Sequence, residues 1–351
     1  MSEIYKQLAR HLDGLPGGFP ETESGIELKI LRRLFTPEEA EMAVRMTLIP
    51  ETAEDVARRT GLNPESVAKR LTEMSGKGLL LRNTRNGKTH FMAAQFVVGI
   101  WEYHVNDLDE ELIADVNAYL PHLFKAQMTH PTQQLRVIPI SKSISAEMQV
   151  MPYEVAEEII RSQSKIIIAP CICRKEHKMT GKGCGRLEEA CLVFGGGAYY
   201  YEENGLGRSI GPDEAIDILH KGMAEGLVLQ PGNAQKPLNI CMCCGCCCQI
   251  LKNARQLENP AAFVHSNYRA EVDSDACIAC GVCEDRCPMD AIAVADIAAV
   301  NKDRCIGCGV CVAGCETAAI HMIAKTPGMS YEPPKTLVHT FMSIAKERGL
   351  L

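Results

Sequence analysis

The chain has 351 residues, enough on ordinary domain sizes for two or three domains, and its 46% hydrophobic and 23% charged content suits a soluble protein with real cores. A formal net charge of −7 argues against wholesale nucleic-acid binding. No apolar run approaches the ~20 residues needed to cross a bilayer, and the polar start Met1-Ser2-Glu3 lacks a signal-peptide core, so a cytoplasmic protein is expected.

Residues 1–35 read as an N-terminal arm, and residues 36–100 read as a winged helix-turn-helix. Thr36-Pro37-Glu38-Glu39 is a capping box with proline at the first helical position, predicting a helix to about Leu48. A second helix is expected from Ala53 to Thr60, ending at Gly61. A third begins at the Asn63 cap, with Val67, Leu71 and Met74 at helical spacing. Leu79-Leu80-Leu81 then reads as a strand, and Asn86-Gly87 as a hairpin turn leading to a return strand with Phe91. Residues 101–150 form a helical linker, with a helix over Glu110–Leu123 and a short strand over Arg136–Ile140.

Residues 151–264 read as a cysteine-rich α/β domain. A helix over Glu154–Gln163 feeds the strand Lys165–Ala169, which runs into Cys171 and Cys173. A helix over Asp213–Glu225 feeds the strand Gly226–Leu229, followed by Cys241 and Cys243. Open α/β sheets place ligands beyond the carboxyl ends of strands, so the two cysteine groups are expected to meet there. Tyr199-Tyr200-Tyr201 reads as a packed strand. Gly195-Gly196-Gly197 lacks dinucleotide-loop spacing. Residues 265–325 form the last cysteine-rich unit, and residues 326–351 a Pro-rich tail with a helix over Lys335–Arg348.

Eighteen cysteines set the chain apart, and fourteen lie between Cys241 and Cys315. Such density in a large chain without secretory features indicates metal thiolates, and neighbours such as Cys246-Cys247-Cys248 would make an awkward disulfide framework. Cys277-x2-Cys280-x2-Cys283-x3-Cys287-Pro288 is repeated as Cys305-x2-Cys308-x2-Cys311-x3-Cys315. Three cysteines two residues apart converge from one tight loop, while the fourth starts a helical turn leading away to the neighbouring cluster. Cys277, Cys280, Cys283 and Cys315 are therefore expected to hold one cluster, and Cys305, Cys308, Cys311 and Cys287 the other. Ala279, Gly281, Gly307 and Gly309 let backbone amides approach the sulfur atoms, and Ala291-Ile292 and Ala319-Ile320 supply apolar cover. The pattern resembles the bacterial-type dicluster ferredoxin domain over residues 268–325, which implies two 4Fe-4S clusters. Glu316 replaces the proline usual after the last cysteine.

Ten further cysteines precede this unit. Cys171, Cys173, Cys184 and Cys191 form one group. Cys241, Cys243, Cys244, Cys246, Cys247 and Cys248 form another, in which Cys241, Cys244 and Cys247 repeat the two-residue spacing. These suffice for one or two further clusters, with a cubane, another iron–sulfur species and zinc all open; Cys171, Cys173, Cys184, Cys191, Cys241, Cys244 and Cys247 are the candidate ligands. Arg174, Lys175 and His177 could offset cluster charge, or His177 could be a ligand, while Lys175 and His177 read first as solvated loop residues. This upstream combination looks like iron–sulfur oxidoreductase-type proteins of strict anaerobes.

Three functions follow as expectations. The first is single-electron transfer between redox partner proteins, as a carrier or subunit. The second is an oxidoreductase with a catalytic cluster in residues 151–264. The third is a redox-sensing regulator that binds DNA through residues 36–100, where Arg58, Arg59, Lys69, Arg70, Lys77, Arg82, Arg85 and Lys88 give a basic bias, although Glu65 and Glu73 share the recognition helix.

Overall fold

Caps and apolar stripes determine the local structure of the chain. A computed structural model describes residues 2–144, 148, 150–325 and 330–351. The molecule mixes helix and sheet in two units, one of residues 1–130, 196–206 and 341–351, the other of residues 131–195 and 207–340.

In the first unit the expected arm is two helices, Ser2–Asp13 and Ile26–Leu34, whose Leu8, Ile30 and Leu31 are fully buried. The Thr36 capping box opens helix Pro37–Ala43. That helix ends at Ala43, short of Leu48: the Arg45 and Met46 amides turn back to the Met42 and Ala43 carbonyls at 3.0 Å, and the Thr47 carbonyl accepts the Ala93 amide at 2.7 Å. Thr52 caps helix Ala53–Thr60, which closes at Gly61 in a left-handed conformation, and Asn63 caps helix Pro64–Gly76. Strands β1 (Glu51–Thr52), β2 (Leu80–Arg85) and β3 (Lys88–Ala93) form a sheet in the order β1-β3-β2. The β2–β3 turn takes positive φ at both Asn86 and Gly87, the geometry the Asn-Gly pair favours. Helix Glu110–Gln127 starts at its Asp109 cap and continues past Pro121.

Tyr199–Tyr201 lie in helix Gly195–Glu203, not in a strand. Adjacent Tyr200 and Tyr201 are both buried while Tyr199 is exposed. A half-buried strand would send neighbours to opposite faces, whereas a helix turns them by only about 100°. Tyr200 also donates its hydroxyl proton to the Ser75 carbonyl at 3.0 Å.

In the second unit, β4 (Ile166–Pro170), β5 (Glu189–Phe194), β6 (Arg208–Ile210), β7 (Val228–Pro231) and β8 (Asn239–Cys243) form one sheet in the order β6-β4-β5-β8-β7. Every pairing is antiparallel, so the carboxyl-edge rule of parallel α/β sheets does not operate here. The cysteines meet for another reason: β5 and β8 are hydrogen-bonded neighbours, with Cys191 directly opposite Cys241. Helix Pro212–Ala224 packs on β4 and β5, so that Ile166, Ile168, Leu192, Phe194 and Leu219 share one core. The expected strand Arg136–Ile140 is reduced to isolated bridges, Ile138 to Leu229 of β7 and the preceding Leu135 to Gly232, and Pro139 has no amide to continue a ladder.

The chain then enters two short antiparallel ribbons. Strand β9 (Tyr268–Val272) pairs with β12 (Ile320–Ala324), and β10 (Ile292–Val294) pairs with β11 (Ala298–Val300). The sequence repeat of 28 residues (305 minus 277) is written into the backbone. Ala279 and Gly307, Gly281 and Gly309, and Asp290 and Ala318 are equivalent pairs, and all six have positive φ. Ile306, Val310, Ile292 and Ile320 belong to the same core as the five-stranded sheet, so this lobe is packed onto the sheet rather than tethered to it. The last helix is Leu337–Glu347; the tail residues 326–329 lie outside the described residues. No described helix is long and apolar enough to cross a membrane.

Candidate metal centres

The repeated loops enclose two cavities. The first is lined by Cys277, Cys280, Cys283 and Cys315, with Ile278, Val282, Val294, Ala319 and Ile320 among its walls. The second is lined by Cys287, Cys305, Cys308 and Cys311, with Met289, Ala291, Ile292 and Ile306. The fourth cysteine of each run thus lies in the other run's cavity. Ala291-Ile292 and Ala319-Ile320 cover them as the repeat implies.

Backbone amides are already directed at these sulfurs. Ala298 donates to Cys277 Sγ at 3.4 Å, Ala291 to Cys287 Sγ at 3.2 Å and Ala270 to Cys305 Sγ at 3.4 Å. Amides so placed are outer partners that orient a ligand sulfur. The close approach needs glycine at one point: a Cβ on Gly307, at φ +69°, would fall 2.1 Å from the Tyr268 carbonyl oxygen. The cavities differ in exposure. Cys305, Cys308 and Cys311 are buried, and burial drives the Cys308 and Cys311 thiols upward in pKa. Cys280 is exposed, and Ile278 beside it is 65% exposed.

The ten upstream cysteines also divide, but not along sequence lines. The Sγ atoms of Cys184, Cys244, Cys246 and Cys247 lie within 4.8 Å of one another. The other six form a continuous series of thiol contacts, Cys171–Cys173–Cys248–Cys243–Cys241–Cys191. Hydrogen bonds from Cys191 and Cys243 pull Cys241 well below the ordinary thiol range, and those from Cys173 and Cys243 do the same for Cys248. A bond from Cys173 lowers Cys171 against the opposing effect of burial. Cys173 and Cys243 are raised well above the range by their bonds to those neighbours. Cys171 and Cys248 also cap helices Ile172–Met179 and Gln249–Arg255, where amide groups stabilise a thiolate.

The seven upstream cysteines taken from spacing therefore belong to two sets: Cys171, Cys173, Cys191 and Cys241 to one, Cys184, Cys244 and Cys247 to the other. Spacing missed Cys246, which completes the four, and Cys243 and Cys248, which complete the six. No spacing records this division: Cys241 and Cys243 end strand β8, Cys244, Cys246 and Cys247 lie on the turn beyond it, and Cys248 caps the next helix.

Arg174 lies between the sets. It is 4% exposed, and its guanidinium donates to the Leu187 carbonyl at 2.8 Å and to the Met242 carbonyl. Burial alone would lower its pKa, but the charges of Cys171, Cys244, Cys243 and Cys184 reverse that effect and raise it. Its Nε finds no acceptor among the described residues. Lys175 and His177 lie in helix Ile172–Met179 and are part-buried, not in a solvated loop, and the His177 ring is engaged. Its Nδ1 donates to the Cys173 carbonyl at 2.8 Å, leaving Nε2 to accept from Lys252 Nζ at 3.2 Å.

Among known proteins, residues 269–316 match the family model described as a 4Fe-4S dicluster domain. No curated protein and no solved structure shows a significant match to the chain. The cofactors are accordingly 4Fe-4S clusters, and the chemistry to which the C-terminal lobe belongs is iron–sulfur electron transfer.

Proposed function

We propose that the chain relays single electrons between redox partner proteins, with the C-terminal lobe as its wire and the cysteine-rich sheet as its inner terminus. The exchange of Cys315 and Cys287 between the two cavities carries this reading. Cys277, Cys280, Cys283 and Cys315 hold the outer cluster; Cys305, Cys308, Cys311 and Cys287 hold the inner one. Each cluster supplies a one-electron centre when bound, and the residues set how it is used. Ala298, Ala291 and Ala270 direct amides at ligand sulfurs, while Met289, Ile306 and Val310 keep water from the inner cavity. The outer cavity faces solvent, where a partner can reach it.

The inner end abuts the upstream cysteines. A Cβ on Gly245 would stand 3.0 Å from Pro288, which follows Cys287. The series Cys171, Cys173, Cys248, Cys243, Cys241 and Cys191 holds a further iron–sulfur cluster beyond that contact, with Arg174 offsetting its charge. Iron and sulfide counts with EPR on the anaerobically purified chain test this. We expect more than about eight irons, loss of an outer-cluster signal in Cys280→Ser and of an inner one in Cys308→Ser. About eight irons would remove the further cluster, and iron well below about eight, or spectra unchanged in both variants, would overturn the relay.

Six thiols exceed the four a cubane needs, and this favours a second reading in which that cluster is catalytic. Cyanide added to the reduced chain should perturb an open iron; unchanged EPR would remove the catalytic reading. A winged-helix regulator has weaker support. Of its eight basic residues, Arg58 pairs with Asp55, Arg59 with Glu51, Lys69 with Glu73, Lys77 with Glu39 and Arg82 with Glu203. Charges so paired release few counterions from a phosphate backbone, and a low-salt gel shift with random duplex should show no complex.

A further inference from the structure

The set of Cys184, Cys244, Cys246 and Cys247 differs from the six-thiol series in shape. The four Sγ atoms lie within 4.8 Å of one another, and the Cys184–Cys244 and Cys246–Cys247 separations are both 3.9 Å. Those two edges share no atom, as opposite edges of a tetrahedron do. One metal ion bound by four thiolates at about 2.3 Å fixes every such edge at about 3.8 Å. In a cubane each thiolate binds a different iron, so the sulfurs stand outside the cube and much further apart.

We propose that Cys184, Cys244, Cys246 and Cys247 hold one divalent ion, zinc or ferrous iron, in tetrahedral thiolate coordination, and not a cubane. Four protein ligands leave no open position, which is the arrangement of a closed site. Four thiolates on a divalent ion leave two negative charges, and cations stand beside them. Arg186 Nη1 donates to Cys246 Sγ at 3.2 Å, and the buried Arg174 interacts with Cys184 and Cys244. Such outer partners orient ligands and offset their charge.

The position of the site gives the ion a role. It joins the loop around Cys184 to the turn after β8, two segments 60 residues apart. The same turn carries Gly245, which packs on Pro288, and is flanked by Cys243 and Cys248 of the six-thiol series. The ion thus clamps the turn that links the inner cavity to the upstream thiols. Zinc would do this without taking part in electron flow, whereas ferrous iron would add a one-electron step at the junction.

The test uses the full chain, purified anaerobically, with metals counted by mass spectrometry and X-ray absorption at the zinc and iron edges. The proposal expects one zinc, or one iron outside the clusters, with a sulfur shell at about 2.3 Å and no metal–metal distance. A zinc-edge signal identifies the first arm; a high-spin ferric signal appearing on mild oxidation identifies the second. Cys246→Ser and Cys184→Ser should each lose that one ion while the two dicluster EPR signals persist, which also shows that the variants fold. Loss of about four irons together with a cubane signal, or no loss of metal from either variant, would overturn it.

Discussion

Two glycines in equivalent loops make separable demands on the C-terminal lobe. Gly281 has φ +81° and open space where a Cβ would go, while Gly307 has φ +69° and the Tyr268 carbonyl 2.1 Å from that point, with Ser266 Oγ at 2.5 Å. Alanine at Gly281 meets only the left-handed penalty of about 1–2 kcal/mol. Alanine at Gly307 must also displace strand β9, whose Ala270 amide donates to Cys305. We expect Gly281→Ala to keep both cluster signals with a Tm a few degrees lower, and Gly307→Ala to lose the inner signal. Anaerobic EPR with thermal unfolding of both variants checks this, and equal behaviour of the pair would contradict it.

At the scale of elements, the dicluster lobe was legible because its ligands are local. Spacing alone places Cys277 to Cys283 on one loop, and the repeat places Cys315 opposite them. The caps at Thr36 and Asn63 and the Asn86-Gly87 turn were legible for the same reason: each is decided within four residues. The upstream cysteines were not, because their grouping depends on which strands are neighbours. Cys191 meets Cys241 only because β5 lies beside β8, and no periodicity in either strand records that pairing. Tyr199–Tyr201 read as a strand because three aromatics favour one locally, while packing on Tyr103 favours the helix.

Burial shifts two histidines of the first unit, His11 and His104, and the second is the more buried. His104 follows the short helix Trp101–Tyr103, is 7% exposed, and bonds through Nδ1 to the Ile100 carbonyl at 2.6 Å. Burial lowers its pKa below the ordinary 6.5, and the Ile100 bond only partly opposes this. The unfolded chain therefore binds the proton more readily than the folded one. Stability is complete above pH 6.5 and falls as the pH drops from there to the folded value, by about 1.4 kcal/mol per pH unit across that interval. His104→Gln keeps an amide donor and cannot titrate, so it should lessen the decline and leave the part that His11 contributes. Trp101 is the only tryptophan and is buried in the same unit, so its fluorescence in urea at pH 7.5 and 5.5 gives the readout.

At the scale of the whole molecule, acidic side chains follow the chain around the outer cavity. Exposed Asp273, Asp275, Glu284, Asp285, Asp296 and Glu316 flank the outer cavity, around the exposed apolar side chains of Ile278, Val282 and Ile297. An apolar centre with an acidic surround suits a partner whose docking face is apolar at its centre and basic at its edge. Charges of this kind raise the encounter rate by about tenfold or more at low salt and lose that effect as the Debye length shortens. Reduction of a basic cytochrome c by the reduced chain should therefore slow by about tenfold as salt is raised. Reduction of an uncharged quinone should not change, since it needs no steering. Asp275→Lys with Asp285→Lys should reduce the salt dependence, and Ile278→Asp should slow the cytochrome reaction even at high salt, where only contact at the centre remains. Stopped-flow measurements of the three proteins with both acceptors separate these effects. Equal salt dependence in the wild type and the double lysine variant would place the docking face elsewhere.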